Sequence, residues 1–222
     1  MAPFGKIYSY PGNFRVHRAQ VVAALNGLEV PLAEDFKMGE TNKTTEFLSK
    51  FPMGKVPALE CADGFCVAEG PAICQYLAAA GPKSAQLLGS DPKTQARIAE
   101  WVFLAETELV ANFLPLALMS VLKMVPYDEA RYGFHLACVE RACGRVEVAL
   151  AGGEKKYLVG EAITLADAMV AGVLIPLCRF FVDAEIRAKI PSTVAYLQSL
   201  AATKEFVDAY GAFEGCETRV KA

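Results

Sequence analysis

Over roughly the first eighty residues, apolar and polar positions alternate, break and regroup every few residues, whereas beyond Gly81 the apolar positions recur at helical spacing. Lys6 to Ser9 alternates as a short strand, and Pro11, Gly12 and Asn13 end it in a turn. Ala19, Val22, Ala23 and Leu25 give an apolar face to a helix from Arg18 to Asn26, with Asn26-Gly27 as its stop. Val30 to Asp35 reads as a second strand. Asn42 to Lys50, with Thr44, Glu46 and the apolar pair Phe47 and Leu48, reads as a short helix. Pro57 to Ala68 holds two apolar runs around Asp63-Gly64, a strong hairpin signal. Ala72 to Ala80 is a further helix, stopped by Gly81-Pro82.

The order β, α, β, α, β, β, α predicts an α/β domain with a four-stranded mixed sheet and helices on its faces, built on a right-handed βαβ unit. Ala85 to Pro92 is expected to be linker. Helices are then predicted over Lys93–Leu122, with Pro115 as a kink, Asp128–Leu150, Leu165–Leu177, Ala184–Lys189, Thr193–Ala201 and Lys204–Tyr210, with a loop Ala151-Gly-Gly-Glu-Lys after the second. The expected domains are therefore 1–82, α/β, and 92–222, all helical.

Composition narrows the classes. With 222 residues, 54% hydrophobic and 21% charged, the chain is globular. The longest wholly apolar run, Ala168 to Cys178, is eleven residues, about half of a membrane span, so none is expected. The opening MAPFGKIYSY has one Lys and no secretory pattern, which points to the cytoplasm. Seven scattered cysteines are too sparse for a disulfide scaffold and contain no Cys-x-x-Cys pair, which disfavours redox chemistry. With two histidines and no zinc-knuckle spacing, no metal site is expected. A net charge of −3 with scattered basic residues offers no nucleic-acid footprint.

Three stretches carry more specific signals. Met53-Gly54-Lys55-Val56-Pro57 puts a proline at the start of an apolar strand, either as an ordinary turn proline or as a cis bond that turns the Val56 backbone out to pair with an extended ligand. Glu69-Gly70-Pro71 opens a helix, where Glu69 either caps the first N–H groups or holds a ligand ammonium while those groups hold a carboxylate. Thr164-Leu-Ala-Asp167 has the spacing of a reciprocal capping box and a structural role.

These stretches, in this order, resemble a cytosolic glutathione transferase, with a thioredoxin-like first domain and a helical second one. More narrowly, KIYSYPGNFR, GETNKTTEFLSKFPMGKVPALECADGFCVAEGPAI and KKYLVGEAITLADAMV are similar to the transferase-like domain of the gamma subunits of eukaryotic translation elongation factor 1. The resemblance implies a scaffold of the elongation complex, docking other elongation factor 1 subunits as a homodimer. The alternative is an active transferase joining glutathione to small electrophiles, with Trp101, Leu104, Glu108 and Phe113 as lining or as plain core.

It also implies a glutathione site. Val56, before Pro57, would pair its backbone with the cysteinyl part. Lys55, Asn42 and Lys43 would flank the glycine end, while Glu69 and the Gly70 N–H would hold the γ-glutamyl group. Where the family usually carries Glu-Ser, this chain has Glu69-Gly70, which removes a hydroxyl hydrogen bond of about 1 kcal/mol. The family's thiolate-holding hydroxyl falls at or near Phe14, which has no donor. Ser9 and Tyr8 are the nominated substitutes, with Tyr10, Asn13 and Arg15 close by, although each also reads as a core or loop residue.

Overall fold

The computed structural model describes residues 3–152 and 155–221, and the chain divides into two compact units between Ser90 and Asp91. Gly153 and Glu154, in the loop expected after residue 150, lie outside the described residues.

In the first unit, β1 (Gly5–Tyr8), β2 (Ala58–Cys61) and β3 (Cys66–Ala68) form an antiparallel sheet in that order, with Ile7 opposite Leu59 and Ala58 opposite Ala68. The expected second strand is reduced to a single parallel bridge, Ile7 to Leu32. The backbone still runs along β1, through Phe4 N–H to Glu29 O, Ile7 N–H to Pro31 O and Ala33 N–H to Ile7 O. Pro31 has no N–H to give a further neighbour, so this segment is an edge that ends early. The fourth position of the mixed sheet is thus present but shorter than the 30–35 run suggests.

Alternation sorts the two faces of the sheet. Ile7 and Leu59 are fully buried, and Cys61 on the same face approaches Tyr76 of α3 (Gly70–Ala79). Tyr8, Ala58, Cys66 and Ala68 face the other way, onto Phe47 and Phe51, in and just after α2 (Thr45–Lys50). Each such buried aromatic contributes about 2 kcal/mol of transfer free energy.

Helix α1 spans Phe14–Leu25, four residues longer at its start than periodicity indicates. Arg15, His17 and Arg18 blur the apolar spacing, yet Asn13 caps the helix by accepting the Arg15 N–H at 3.1 Å. At its other end the buried Asn26 amide donates to Leu77 O and Ala78 O at 2.8 and 2.9 Å and accepts the Lys83 N–H at 2.7 Å. That cross-link fixes α1 against the end of α3. A Cβ on Gly81 would stand 2.5 Å from Asn26, so the glycine that stops α3 also makes room for the cross-link. The expected linker instead carries α4 (Ser84–Leu88), anchored by the fully buried Leu87.

The second unit contains α5 (Pro92–Leu104), α6 (Ala111–Leu116), α7 (Glu129–Leu150), α8 (Leu165–Phe180), α9 (Ala184–Arg187), α10 (Pro191–Ala201) and α11 (Lys204–Tyr210). Wider π turns at Ala105–Val110 and Ala117–Val121 join α5 and α6 into a run to Val121. By length and composition alone this 30-residue run is long and apolar enough to cross a membrane, a test that a buried core helix also passes. The charged Glu106 and Glu108 interrupt the run, and its uncharged part from Leu109 onward is divided by Asn112 and Ser120. Both are buried, as are Leu109, Phe113 and Leu116, so the run also serves as a core helix.

Around it, α8 is buried along nearly its whole length, and Asp167 in its first turn accepts from four donors. These are the Leu158 and Thr164 N–H groups at 2.9 and 2.8 Å and the Thr164 and Tyr196 hydroxyls at 3.0 and 2.9 Å. Glu147 of α7 caps α10 in a similar way, accepting the Ser192 and Thr193 N–H groups at 3.0 and 2.7 Å.

Candidate functional site

Extending the β2–β3 register by one step sets Pro57 opposite Glu69, so the bend before β2 and the start of α3 are neighbours. The Val56-Pro57 bond is cis, the second of the two readings of this proline, and Val56 is half-buried against the Phe47 and Phe51 cluster.

Glu69 lies at φ 69°, a conformation L side chains rarely adopt, and its exposed side chain caps no N–H of α3. Of the two readings of this residue, self-capping is therefore not the one the structure adopts. Pro71 has no N–H and the Ile73 N–H is spent on Glu69 O at 2.9 Å. The open donors of the first turn are those of Gly70 and Ala72, at the positive end of the helix dipole. Gly70 is buried, and its backbone is not in the left-handed region.

Asn42, expected beside the ligand, is buried and structural. Its amide donates to Gly54 O at 2.7 Å and accepts the Gly39 N–H at 2.6 Å. Gly54 stands at φ 60°, and a Cβ there would meet Asn42 O at 3.0 Å, so the Met53-Gly54-Lys55 bend needs glycine. Lys43 and Lys55 are exposed on this bend and the neighbouring turn, where their ammonium groups can meet a carboxylate.

The hydroxyl candidates separate. Tyr8 donates to Glu60, its ring edge-on to Phe47 and Phe51 on the α2 face. Burial, then the bond to Glu60, pushes its phenol above the ordinary value. Ser9 lies at the approach to α1, where its Oγ accepts from Asn13 Nδ2 at 3.0 Å, but only 3% of the residue is exposed. Phe14 opens α1, half-buried, with the Arg15 and Arg18 guanidinium carbons 4.8 and 5.2 Å from its ring centre. Sequence reasoning named Arg15 only as a neighbour of Phe14 and gave its side chain no role. Only the Asn13 cap, readable from its residue type before a helix, indicated that this arginine sits on the first turn.

In the second unit, Trp101 and Phe113 are buried core, with Arg145 stacked 4.4 Å from the Trp101 ring. Glu108 pairs with Arg141 at 2.9 Å.

Chemically, the start of α3 offers an isolated carboxylate beside backbone donors, and the bend before Pro57 and the neighbouring Thr41–Lys43 turn offer one cation each. Such a strip can hold an extended peptide with an ammonium and a carboxylate at one end and a second carboxylate at the other.

Comparison with known proteins finds two matching domains. Residues 3–79 match the glutathione S-transferase N-terminal domain and residues 109–204 the glutathione S-transferase C-terminal domain. A glutathione S-transferase-like protein of a Fusarium species is 41% identical over 95% of this chain and 94% of its own. Elongation factor 1-gamma of Artemia salina is 35% identical over 96% of this chain, which spans 48% of that protein. Among solved structures, the transferase-like domain of elongation factor 1-gamma from Saccharomyces cerevisiae shares the fold, with a TM-score of 0.81, 23% identity and 99% of each chain covered.

Proposed function

Because the chain belongs to the glutathione S-transferase family, we propose that its first unit binds glutathione and presents the thiol to small electrophiles, with slow turnover. The observation that carries this reading is the start of α3, where Glu69 holds an unusual backbone conformation and an exposed carboxylate that caps nothing. That carboxylate takes the γ-glutamyl ammonium. The Gly70 N–H takes the adjacent carboxylate, and the backbone of Val56 pairs with the cysteinyl residue. Lys55 and Lys43 meet the glycine carboxylate, while Asn42 acts behind them by holding Gly54 in place.

Turnover is limited by the thiol. A free cysteine thiol has a pKa near about 8.5 and is mostly protonated at neutral pH, so conjugation needs a donor to the thiolate. Phe14 has none, the Tyr8 hydroxyl is engaged with Glu60, and the Ser9 hydroxyl is buried. Ser9 is therefore the better placed of the two nominated hydroxyls, and it must become accessible to act.

Calorimetric titration with glutathione, with conjugation rates towards a dinitrohalobenzene, tests this reading. The expected result is binding with weak activity, and no binding at millimolar glutathione would remove it. A rate loss of about a hundredfold in Ser9→Ala with intact binding would make Ser9 the catalytic hydroxyl.

A second, compatible reading is a cytoplasmic docking scaffold of the elongation factor 1 complex, acting as a homodimer. It is supported by 35% identity to an elongation factor 1-gamma over 96% of this chain. Light scattering should give twice the monomer mass, and purified elongation factor 1 subunits should co-elute with the chain. A monomer that retains none of them would exclude this reading.

A further inference from the structure

Asn13 starts α1 by accepting the Arg15 N–H, which fixes Arg15 on the first turn of the helix. From there its side chain runs towards α3. A Cβ built on Gly70 would lie 3.5, 3.6 and 3.7 Å from Arg15 Cδ, Cβ and Cγ, which is ordinary van der Waals contact. The stem of Arg15 is thus laid along Gly70, and the guanidinium carbon reaches a point 4.8 Å from the Phe14 ring centre. Packing on the stem and stacking on the guanidinium hold this cation beside the first turn of α3.

Resting on the glutathione reading above, we propose that Arg15 supplies the side-chain contact to the γ-glutamyl carboxylate that a hydroxyl at position 70 would otherwise give. The carboxylate is then bound by the Gly70 N–H and a guanidinium, with Glu69 on the neighbouring ammonium. The three atoms nearest to the position of a Cβ on residue 70 all belong to the Arg15 stem, so the residue that lacks a hydroxyl and the arginine that replaces its contact lie side by side. The chemistry differs from that of a serine site. A guanidinium contact is charge-assisted, requires an ionised carboxylate and weakens as salt rises.

The test pairs a deletion in the ligand with one in the protein. Glutathione and its decarboxylated analogue, 4-aminobutyryl-cysteinylglycine, are titrated calorimetrically into wild type, Arg15→Gln and Arg15→Lys, at low and high salt. Thermal melts confirm that each variant is folded. In wild type the analogue should bind about tenfold more weakly or worse. Arg15→Gln should weaken glutathione by a similar factor and leave the analogue unchanged, Arg15→Lys should fall between, and the salt dependence of glutathione binding should shrink in Arg15→Gln. Adding Gly70→Ser to Arg15→Gln should recover part of the loss.

Equal losses for both ligands would make Arg15 structural and overturn the proposal, as would unchanged glutathione affinity. Either result leaves the glutathione reading standing. Wild type that fails to bind glutathione at all removes that reading, and the role of Arg15 with it.

Discussion

Two helix starts in this chain solve the same problem in opposite ways. At α8 the first turn is filled from within, because Thr164 and Asp167 form a reciprocal capping box and the buried Asp167 carboxylate also accepts from Leu158 and Tyr196. At α3 the first turn is left open, with Glu69 capping nothing and held at φ 69°. Both segments have an acidic residue within reach of the orphan N–H groups. The difference lies in where the acid sits. At the third helical position a carboxylate folds back onto its own turn, whereas at the capping position in a left-handed backbone it points away. One terminus contributes stability and the other keeps its donors for a ligand.

The largest expected effect breaks the filled terminus. Asp167→Ala leaves buried donors at Leu158, Thr164 and Tyr196 without an acceptor, and each such loss costs about 1 to 3 kcal/mol. Urea unfolding should show a loss of about 3 to 5 kcal/mol, with glutathione affinity unchanged in the fraction that remains folded. A loss below about 1 kcal/mol would mean that the box adds little to its own helix.

The open terminus should respond in the reverse sense. Glu69→Ala removes one partner of a charge-assisted pair and should weaken glutathione binding by about tenfold or more, with little change in unfolding midpoint. Glu69→Gly should bind as poorly as the alanine variant yet be more stable than it by about 1 kcal/mol, since glycine carries no penalty at positive φ. Equal stability of the two variants would show that no strain is held there.

How much of this was legible in the sequence differs between the two termini. The Thr164 box is a local pattern, since both partners lie within four residues and their spacing alone specifies the hydrogen bonds. The position of the α3 start was equally legible, because Pro71 and the change from alternation to helical period mark it. Its backbone conformation was not, since positive φ at a glutamate comes from how the chain passes from β3 into α3. Asn26 illustrates a different limit. Its role as a stop for α1 follows from residue type, but its bonds to residues 77, 78 and 83 join positions more than fifty residues away. Arg15 and the burial of Asn42 were unreadable for the same reason, being consequences of packing across elements. The shortened second strand shows how alternation can overstate an edge that carries proline.

A smaller effect sharpens the comparison at Gly70. Its Cβ position is open at ordinary contact distance from Arg15, so Gly70→Ser should fold normally. Because Arg15 already supplies a side-chain contact to the γ-glutamyl carboxylate, a hydroxyl at the start of α3 should raise wild-type affinity by less than the about 1 kcal/mol, or roughly fivefold, of an added hydrogen bond. Calorimetry giving the full gain in wild type would mean that the carboxylate lacks a side-chain donor, and would count against the role of Arg15.

The smallest effect concerns a third carboxylate, which gives the contrast between filled and open acids a pH axis. Glu60 is filled as Asp167 is, accepting from Lys50 Nζ at 2.7 Å and from the Tyr8 hydroxyl. Unlike Asp167 it lies near solvent, its side chain 17% exposed, so its interactions are screened and their net worth is modest. The bond from Lys50, then that from Tyr8, holds the Glu60 carboxyl below the ordinary glutamate value. A carboxyl whose pKa is lower in the folded than in the unfolded chain binds fewer protons when folded. Its contribution is therefore fully present above the unfolded value, near about 4.5, and is lost as pH falls through the folded one. Wild type and Glu60→Gln should differ in unfolding midpoint at neutral pH and converge as the solution is acidified below about pH 4.5. Glu69→Gln, by contrast, should match wild-type stability in unliganded protein at neutral pH, because the Glu69 side chain forms no hydrogen bond or ion pair among the described residues. A loss of stability in Glu69→Gln would mean that the open terminus is already closed by a partner of its own, and the distinction between the two helix starts would fail.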